Sequence, residues 1–485
     1  VAEIISFNPA FAGKEIIRKN DVARLPLKSS DLLISYLLNN PHSQVIVLIS
    51  HSVGKSETLY SISREYGCSV SDLIFFNPGL DEKIKPNQII WVNAKEQFQL
   101  KTATDQIPQP DCIVVKEKRH YNVALLVPFQ LDKASSININ SDPKKNLGKS
   151  FSSFDYIHFY EGFLLGLNNI NYNNATIKIH VYDVSGGDEK ISTLISRGVL
   201  DVDLIIGPFM RKPLEKLNEW SVKNNIKVLD LYLPDEIDYS LDNPNLLSAI
   251  PSISEQLKGM LDYIKEFDNN KNVIVVYNEN NNEKILADKI RDFHSKGLGF
   301  DIRFISYGTS GMNGLVRELN MDKNNVIISF TNNEVFLNNF LRALFDNAEK
   351  FPITLFGLPS WLRFESIDLR YMNHFNTHFF SSQFVDYNNE HVKTFVSTFQ
   401  QTYLTDPNRL AFLGYDIAVY SLGLMTQYGK DFTYCTLEYS PQLLSTKFQF
   451  ERQAETGQLQ NMHVSIFEII EYQLFDSRRK IQNQE

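Results

Sequence analysis

From Tyr121 onward the sequence alternates short, uninterrupted apolar runs with amphipathic stretches of ten or more residues, and this alternation restricts the fold more than any other feature. NVALLVPF, TIKIHVYD, VDLIIGPF and IKVLDLY read as strands; SSFDYIHFYEGFLLGLNNI, GDEKISTLISR and EKLNEWSVKNN, which separate them, read as helices. A strand that is apolar on both sides needs cover on both faces, so the series demands a parallel sheet between layers of helices. After NPNLLSAIPS the pattern starts again, with helices near 254–267, 282–295, 311–319 and 333–345 between the strands NVIVVY, DIRFIS, NVIISF and PITLFG. Each series is long enough for a sheet of its own. HVKTFVSTFQQTY and AFLGYDIAVYSLGLMTQYG predict two more long helices, and TKFQFERQ with VSIFEIIEYQLF predicts an antiparallel pair around the turn-rich AETGQLQN.

The first hundred residues follow another pattern. HSV is a short extended start, GKSE a turn, and TLYSISREYG a helix with Leu59, Ile62 and Tyr66 on one side. Ser69 is placed to cap a second helix, VSDLIFFN, with Asp72 as its reciprocal acid; Asn77-Pro78-Gly79 stops it, and IKPNQIIWV returns as a strand. VAEIISFNPAF matches VSDLIFFNPGL without a gap, aligning Val1 with Val70, Glu3 with Asp72, Asn8 with Asn77 and Pro9 with Pro78. The expected organisation is a partial module at 1–27 lacking its front half, a connecting segment at 28–49, a full β-α-α-β module at 50–95 and a linker at 96–119. A chain that opens inside a repeat leaves room for a targeting segment upstream, and its sequence does not tell whether a lipid anchor or a further module precedes Val1.

Composition narrows the function classes. A net charge of −9 with no Lys/Arg-rich run gives no footprint for nucleic acid. No run approaches the roughly 20 apolar residues that span a bilayer. Cys68, Cys112 and Cys435 are few, odd in number and far apart, which suggests neither a zinc cluster nor a disulfide framework. Catalytic motifs are missing too: there is no G-x-S-x-G, HExxH or P-loop, and GTSGMNGL lacks both the Walker lysine and a GxGxxG spacing. His158 and Glu161 share a helix face without a third ligand, and Asp262 and Glu266 share another without an opposing carboxylate, so both pairs read as helix surface. The expectation is a protein that is not an enzyme and needs no cofactor or metal.

The module at 50–95 resembles the LysM domain, whose opening glycine, aspartate, threonine and leucine stand here as Ser56, Glu57, Thr58 and Leu59, and whose asparagine-proline stands as Asn77-Pro78. The closing glycine-glutamine is Asn87-Gln88, so glycine is replaced at both ends. The resemblance implies a shallow groove for an N-acetylglucosamine polymer between Ser56, Glu57, Thr58 and Leu59 on one side and Asn77, Pro78, Gly79 and Leu80 on the other. Contacts in such a groove are uncharged, from backbone amides and apolar side chains. The plainer alternative makes Thr58 a helix cap and Asn77-Pro78 a helix stop, with the modules acting as spacers or protein-docking surfaces.

Residues 120–480 resemble the type I periplasmic-binding fold on the strength of NVALLVPF, FYEG, DLIIGPF, the crossing NPNLLSAIPS and GYDIAVY. That fold serves branched-chain amino-acid binding proteins and lipoprotein activators of peptidoglycan synthases, and its combination with LysM modules is similar to envelope proteins of Bacteroidota. The implied fold class is α/β: small β-α-α-β modules followed by two lobes, each a parallel sheet flanked by helices, and the resemblance implies that one lobe takes 120–248 with 384–434 and the other 249–383 with 435–480. Where amino-acid-binding relatives present a hydroxyl, Asp230 stands in DLYLP, which speaks against an amino-acid ligand. Phe129, Arg211, Asp230, Tyr232 and Trp361 are candidates to line an interlobe cleft for a polar, ring-bearing ligand such as a muropeptide. Alternatively, Phe129 and Trp361 complete the cores, Arg211 interacts with its helix surroundings and Asp230 caps a turn.

The function implied is a non-catalytic, peptidoglycan-associated binding or scaffold protein of the periplasm. LysM modules hold glycan strands and the two-lobed domain docks an envelope or outer-membrane protein, with the inner face of the outer membrane as the place of attachment. A solute receptor using the cleft and a structural subunit of an outer-membrane complex with inactive sites remain as alternatives.

Overall fold

The computed structural model describes residues 48–55, 57–66, 70, 73–74, 77, 80, 84–86, 88–93, 112–115, 117–131, 155–172, 175–232, 241–347, 350–453 and 456–478. The partial module at 1–27, the connecting segment up to residue 47, linker residues 96–111, and Ser56, Pro78 and Gly79 lie outside the described residues. The chain divides into two units, Val1–Asp111 and Cys112–Glu485.

In the first unit, β1 (Leu48–Ser52) pairs antiparallel with β2 (Ile89–Asn93), His51 lying opposite Ile90. Between them α1 (Leu59–Glu65) starts at a reciprocal cap: Ser61 N–H donates to Thr58 Oγ1 at 3.1 Å and Thr58 N–H to Ser61 Oγ at 2.9 Å. Val70, Leu73 and Ile74 are helical, as the expected second helix requires. Val53, Leu59, Ile62, Leu73, Ile90 and Val92 form the core, with Tyr66, Val70, Leu80 and Ile84 against it. A core of this size leaves little surplus stability, so polar contacts at its edge weigh more than they would in a large domain.

The second unit realises both strand–helix series. The first runs β3 (Arg119–Val127), α2 (Asp155–Leu167), β4 (Ala175–Asp183), α3 (Gly187–Ser196), β5 (Leu204–Ile206), α4 (Arg211–Asn224), β6 (Lys227–Asp230) and β7 (Leu246–Ser248). The second runs α5 (Ile253–Phe267), β8 (Lys271–Tyr277), α6 (Asn281–Ser295), β9 (Ile302–Ser306), α7 (Tyr307–Glu318), β10 (Asn324–Ser329), α8 (Glu334–Asn347) and β11 (Ile353–Gly357), then a 3₁₀ turn at Pro359–Arg363, α9 (Leu369–His374) and β12 (His378–Ser381). Their strand orders, β4-β3-β5-β6-β7 and β9-β8-β10-β11-β12, are the same, and every neighbouring pair in these two runs is parallel. Alternate residues feed opposite faces: Val123, Leu125 and Val127 meet Phe159 and Phe163 of α2, while Ala124 and Leu126 meet Leu194, Leu214 and Leu217 of α3 and α4. In β8, Val273 and Val275 face α5, and Ile274 and Val276 face α8.

From β12 the chain returns to the first lobe through α10 (Glu390–Tyr403) and α11 (Arg409–Ile417), a π-helical turn at Ala418–Leu422, and α12 (Gly423–Tyr428). The glycines of FYEG and GYDIAVY let α2 and α11 touch backbone to backbone: a Cβ on Gly162 would lie 1.9 Å from the Ala411 carbonyl oxygen, and one on Gly414 2.0 Å from that of Phe159.

The C-terminal strands depart from expectation. β13 (Phe450–Arg452) pairs with β14 (Leu459–Asn461), which lies inside the stretch read as a turn, and β14 extends the first sheet beside β7. β15 (Ser465–Ile470) instead pairs with β12 and β16 (Gln473–Asp476) in the second sheet. The polar letters of LQN misled because these side chains are buried and bonded: Asn461 Nδ2 donates to the carbonyls of Ala249 and Lys447, and its Oδ1 accepts from the amides of Gln449 and His463. Asn461 thereby ties the crossing after β7 to the crossing after β14. Asp416 does similar work nearby, accepting the amides of Leu444, Ser445 and Thr446 and the Ser445 hydroxyl.

A second correction concerns sulfur. Cys112 and Cys435 form a disulfide with Cα atoms 5.6 Å apart, across a sequence separation of 323. Spacing along the chain is blind to such a pairing, because the fold alone brings the two positions together. Among the described residues no helix is long and apolar enough to cross a membrane.

Candidate functional site

Of the eight residues expected at the glycan groove, five are described. Thr58 caps α1 and is exposed; Leu59 is buried in the small core. Asn77 closes the second helical segment, its Nδ2 donating to the Leu73 carbonyl at 2.8 Å, and its own carbonyl accepts the Leu80 amide at 2.9 Å. Leu80 is half-buried against the core. Glu57 takes a role that the sequence did not suggest: its Oε2 accepts the Gly54 amide at 2.6 Å and lies 2.8 Å from His51 Nε2, while His51 Nδ1 lies 3.0 Å from the Tyr66 hydroxyl. The Gly54 amide, and next the His51 ring, hold the Glu57 carboxyl below the usual carboxylate range. His51 and Tyr66 were missed as site residues; the one available signal is a histidine six places before the acid, facing it across the turn. One step into α1, Tyr60 leaves 65% of its surface open beside the capped loop.

The five cleft candidates do not converge. Phe129 follows β3, packs edge-on against Tyr160 at 5.6 Å and donates its amide to Asp183 at 3.1 Å. Arg211 opens α4 and pairs with Glu215 at 3.1 Å on the surface. Asp230 and Tyr232 do lie together at the carboxyl ends of β6 and β7. Asp230 is buried, accepting the Tyr232 amide at 3.1 Å and the Ser248 hydroxyl at 2.5 Å, and burial pushes its carboxyl up to about 6. Ser248 in turn accepts from Gln458 Nε2 at 2.5 Å, and Gln458 Oε1 accepts the Leu241 amide at 3.2 Å. The cavity beside this chain, lined by Asp230, Tyr232, Ser248, Gln458 and Gln460 among others, measures about 20 Å³, room for about one water molecule. Trp361 corrects the expectation of a cleft residue: it is fully buried in the second lobe, lies over Gly357, and its Nε1–H donates to the Thr331 carbonyl at 2.7 Å, so its indole has no face left for a ligand.

The imagined acid–base pairs stay apart from any site geometry. His158 accepts the Asn408 amide at 3.2 Å, and burial holds its ring below the ordinary histidine range; burial pushes the Glu161 carboxyl up. Asp262 and Glu266 are exposed on α5 while Leu261, Tyr263 and Ile264 are buried, which is the solvated helix face expected. Among the described residues no three His, Cys, Asp or Glu side chains are grouped to hold a metal ion.

Comparison with protein families matches residues 51–93 to the LysM domain. This stretch is a LysM module. No curated protein matches the chain. Among solved structures the chain is similar to a branched-chain amino acid ABC transporter from Rhodospirillum rubrum, at 13% identity and a TM-score of 0.52, over 74% of this chain and 100% of that one. It is also similar to a branched-chain amino acid ABC transporter periplasmic ligand-binding protein from Burkholderia xenovorans (12% identity, TM-score 0.49, 73% of this chain and 91% of that one). A third likeness is to the C-domain of LpoA from Haemophilus influenzae, described as a regulator of PBP1A (13% identity, TM-score 0.47, 73% of this chain and 99% of that one). The first likeness, with the doubled strand order, gives the unit that follows the LysM module the two-lobed type I periplasmic-binding fold. At such identities it speaks for the fold alone.

Proposed function

We propose that this is a non-catalytic protein of the bacterial envelope, in which the LysM module holds peptidoglycan glycan and the two-lobed unit docks an envelope or outer-membrane protein. The observation that carries this reading is the LysM match over residues 51–93. The groove residues are Ser56, Thr58, Asn77, Pro78, Gly79 and Leu80, offering amides and apolar surface to an uncharged polymer. A shallow neutral site binds weakly on its own, and linking modules in tandem raises the effective concentration of sites. The disulfide supports an oxidising compartment, hence the periplasm, where the inner face of the outer membrane puts wall and membrane partners within reach of one chain.

A solute receptor fits less well. Each oxygen of Asp230 already accepts a hydrogen bond, and the space beside it suits a water rather than a metabolite. The test is co-sedimentation with purified sacculi, comparing the chain with and without residues 1–93. Loss of retention on truncation is expected, and equal retention of both forms overturns the reading.

A further inference from the structure

The geometry points to His51 as a positioning residue for the glycan loop, acting through Glu57 rather than touching the sugar; this deepens, and rests on, the glycan-binding reading above. The loop from Val53 to Thr58 joins β1 to α1 and contains a glycine and several polar residues, a composition that leaves many conformers open unless something selects one. A carboxylate only accepts hydrogen bonds, so the 2.8 Å contact with Glu57 Oε2 requires the proton on His51 Nε2. In the neutral ring Nδ1 is then an acceptor, and it takes the Tyr66 hydroxyl at 3.0 Å. Glu57 Oε2 also receives the Gly54 amide at 2.6 Å.

The result is one directional chain, Tyr66 to His51 to Glu57, closed by Gly54, which fastens the end of α1, the strand β1 and the loop to one another. On one side of the loop the Val53 amide donates to the Gln88 carbonyl at 2.9 Å, and on the other Thr58 is fixed as the helix cap. The backbone between these anchors is what a LysM groove presents to an uncharged polymer, and its shape depends on a side chain outside the groove. Glu57, expected from the resemblance to meet the glycan, is occupied in holding the loop.

The test uses the full chain and two readouts: retention on purified sacculi, and amide hydrogen exchange at Gly54 against Ile62, whose amide is bonded within α1 to the Thr58 carbonyl. His51→Phe and Glu57→Gln are each expected to weaken retention and to speed Gly54 exchange by about tenfold, the size of one charge-assisted hydrogen bond. Ile62 exchange should stay unchanged. Because the two residues act as a unit, the double variant should lose no more than either single one. His51→Gln, which keeps an N–H for Glu57, should recover part of the loss. Unaltered Gly54 exchange in His51→Phe overturns the positioning chain itself. Faster exchange with wild-type retention overturns its link to glycan, while failure of the unmodified protein to bind sacculi removes the wall-binding reading and leaves only the loop-shaping role.

Discussion

Glu57 in the LysM module and Asp230 in the two-lobed unit are built alike and behave in opposite ways. Each carboxylate sits beside the end of a regular element and accepts one backbone amide and one side-chain donor: Gly54 and His51 for Glu57, Tyr232 and Ser248 for Asp230. Their exposure differs, 29% of the side chain for Glu57 against 3% of the residue for Asp230. Water still reaches the first, so its hydrogen bonds dominate and its carboxyl titrates low; burial outweighs the bonds of the second and pushes it up to about 6. A similar donor set therefore serves two purposes. At the surface it shapes a loop that must meet a ligand, and in the interior it ties β6, β7 and β14 into one framework.

The largest expected effect separates the two units outright. Cys435→Ala removes a disulfide that braces only the two-lobed unit and should cost it about 2–5 kcal/mol. Urea denaturation should show the same drop when the wild type is reduced, with the LysM module untouched; an unchanged midpoint in reductant would dismiss the bond as a stabiliser. Next comes the buried carboxylate. Asp230→Ala leaves the Ser248 hydroxyl and the Tyr232 amide without their acceptor, at about 1–3 kcal/mol, whereas Glu57→Ala should leave the midpoint of the two-lobed unit where it was. A large shift from Glu57→Ala would break the comparison.

The third prediction uses pH. Asp230 binds its proton more tightly folded than unfolded, so its contribution is full below the ordinary aspartate range and is lost as pH rises from there through about 6. Glu57 has the reverse sign: its contribution is present above the usual glutamate value and lost as pH falls through its lowered folded value. Asp230→Asn should reduce the slope of the two-lobed unit between about pH 4 and 6, leaving the share of Asp416, which burial also pushes up to about 6, and should leave the acid sensitivity of the Gly54 amide intact. An unchanged slope would show that Asp230 is not its source.

The sequence showed the sheets and hid the long-range polar pairings, for a physical reason. Period-two and near-3.6-residue apolar patterns are local, so both strand–helix series and the capped start of α1 were legible. Contacts such as Cys112 with Cys435 or Ser248 with Gln458 join positions that no local pattern links. Trp361 could be read as a cleft or a core residue because a tryptophan near a strand end looks the same whether it faces a cleft or lies over Gly357. LQN was misread because buried polar residues bonded to backbone carry the same letters as a turn. At the glycan loop Thr58 could be read as a cap, yet the role of Glu57 depended on a histidine six residues away.

The smallest effect tests whether the two ends of that loop are independent. Thr58→Ala removes the hydroxyl that accepts the Ser61 amide and should cost the LysM module about 1 kcal/mol, seen as faster exchange throughout α1. His51→Phe should instead act at Gly54 and spare the helix, because its partners lie before the cap and at Tyr66 rather than at the first turn. If the losses from Thr58→Ala and His51→Phe add, the loop has two separate anchors, one holding the helix and one the backbone before it. Strong coupling between them would mean that the cap and the histidine chain hold one structure, and that the surface carboxylate is as deeply built into its unit as the buried one is into the other.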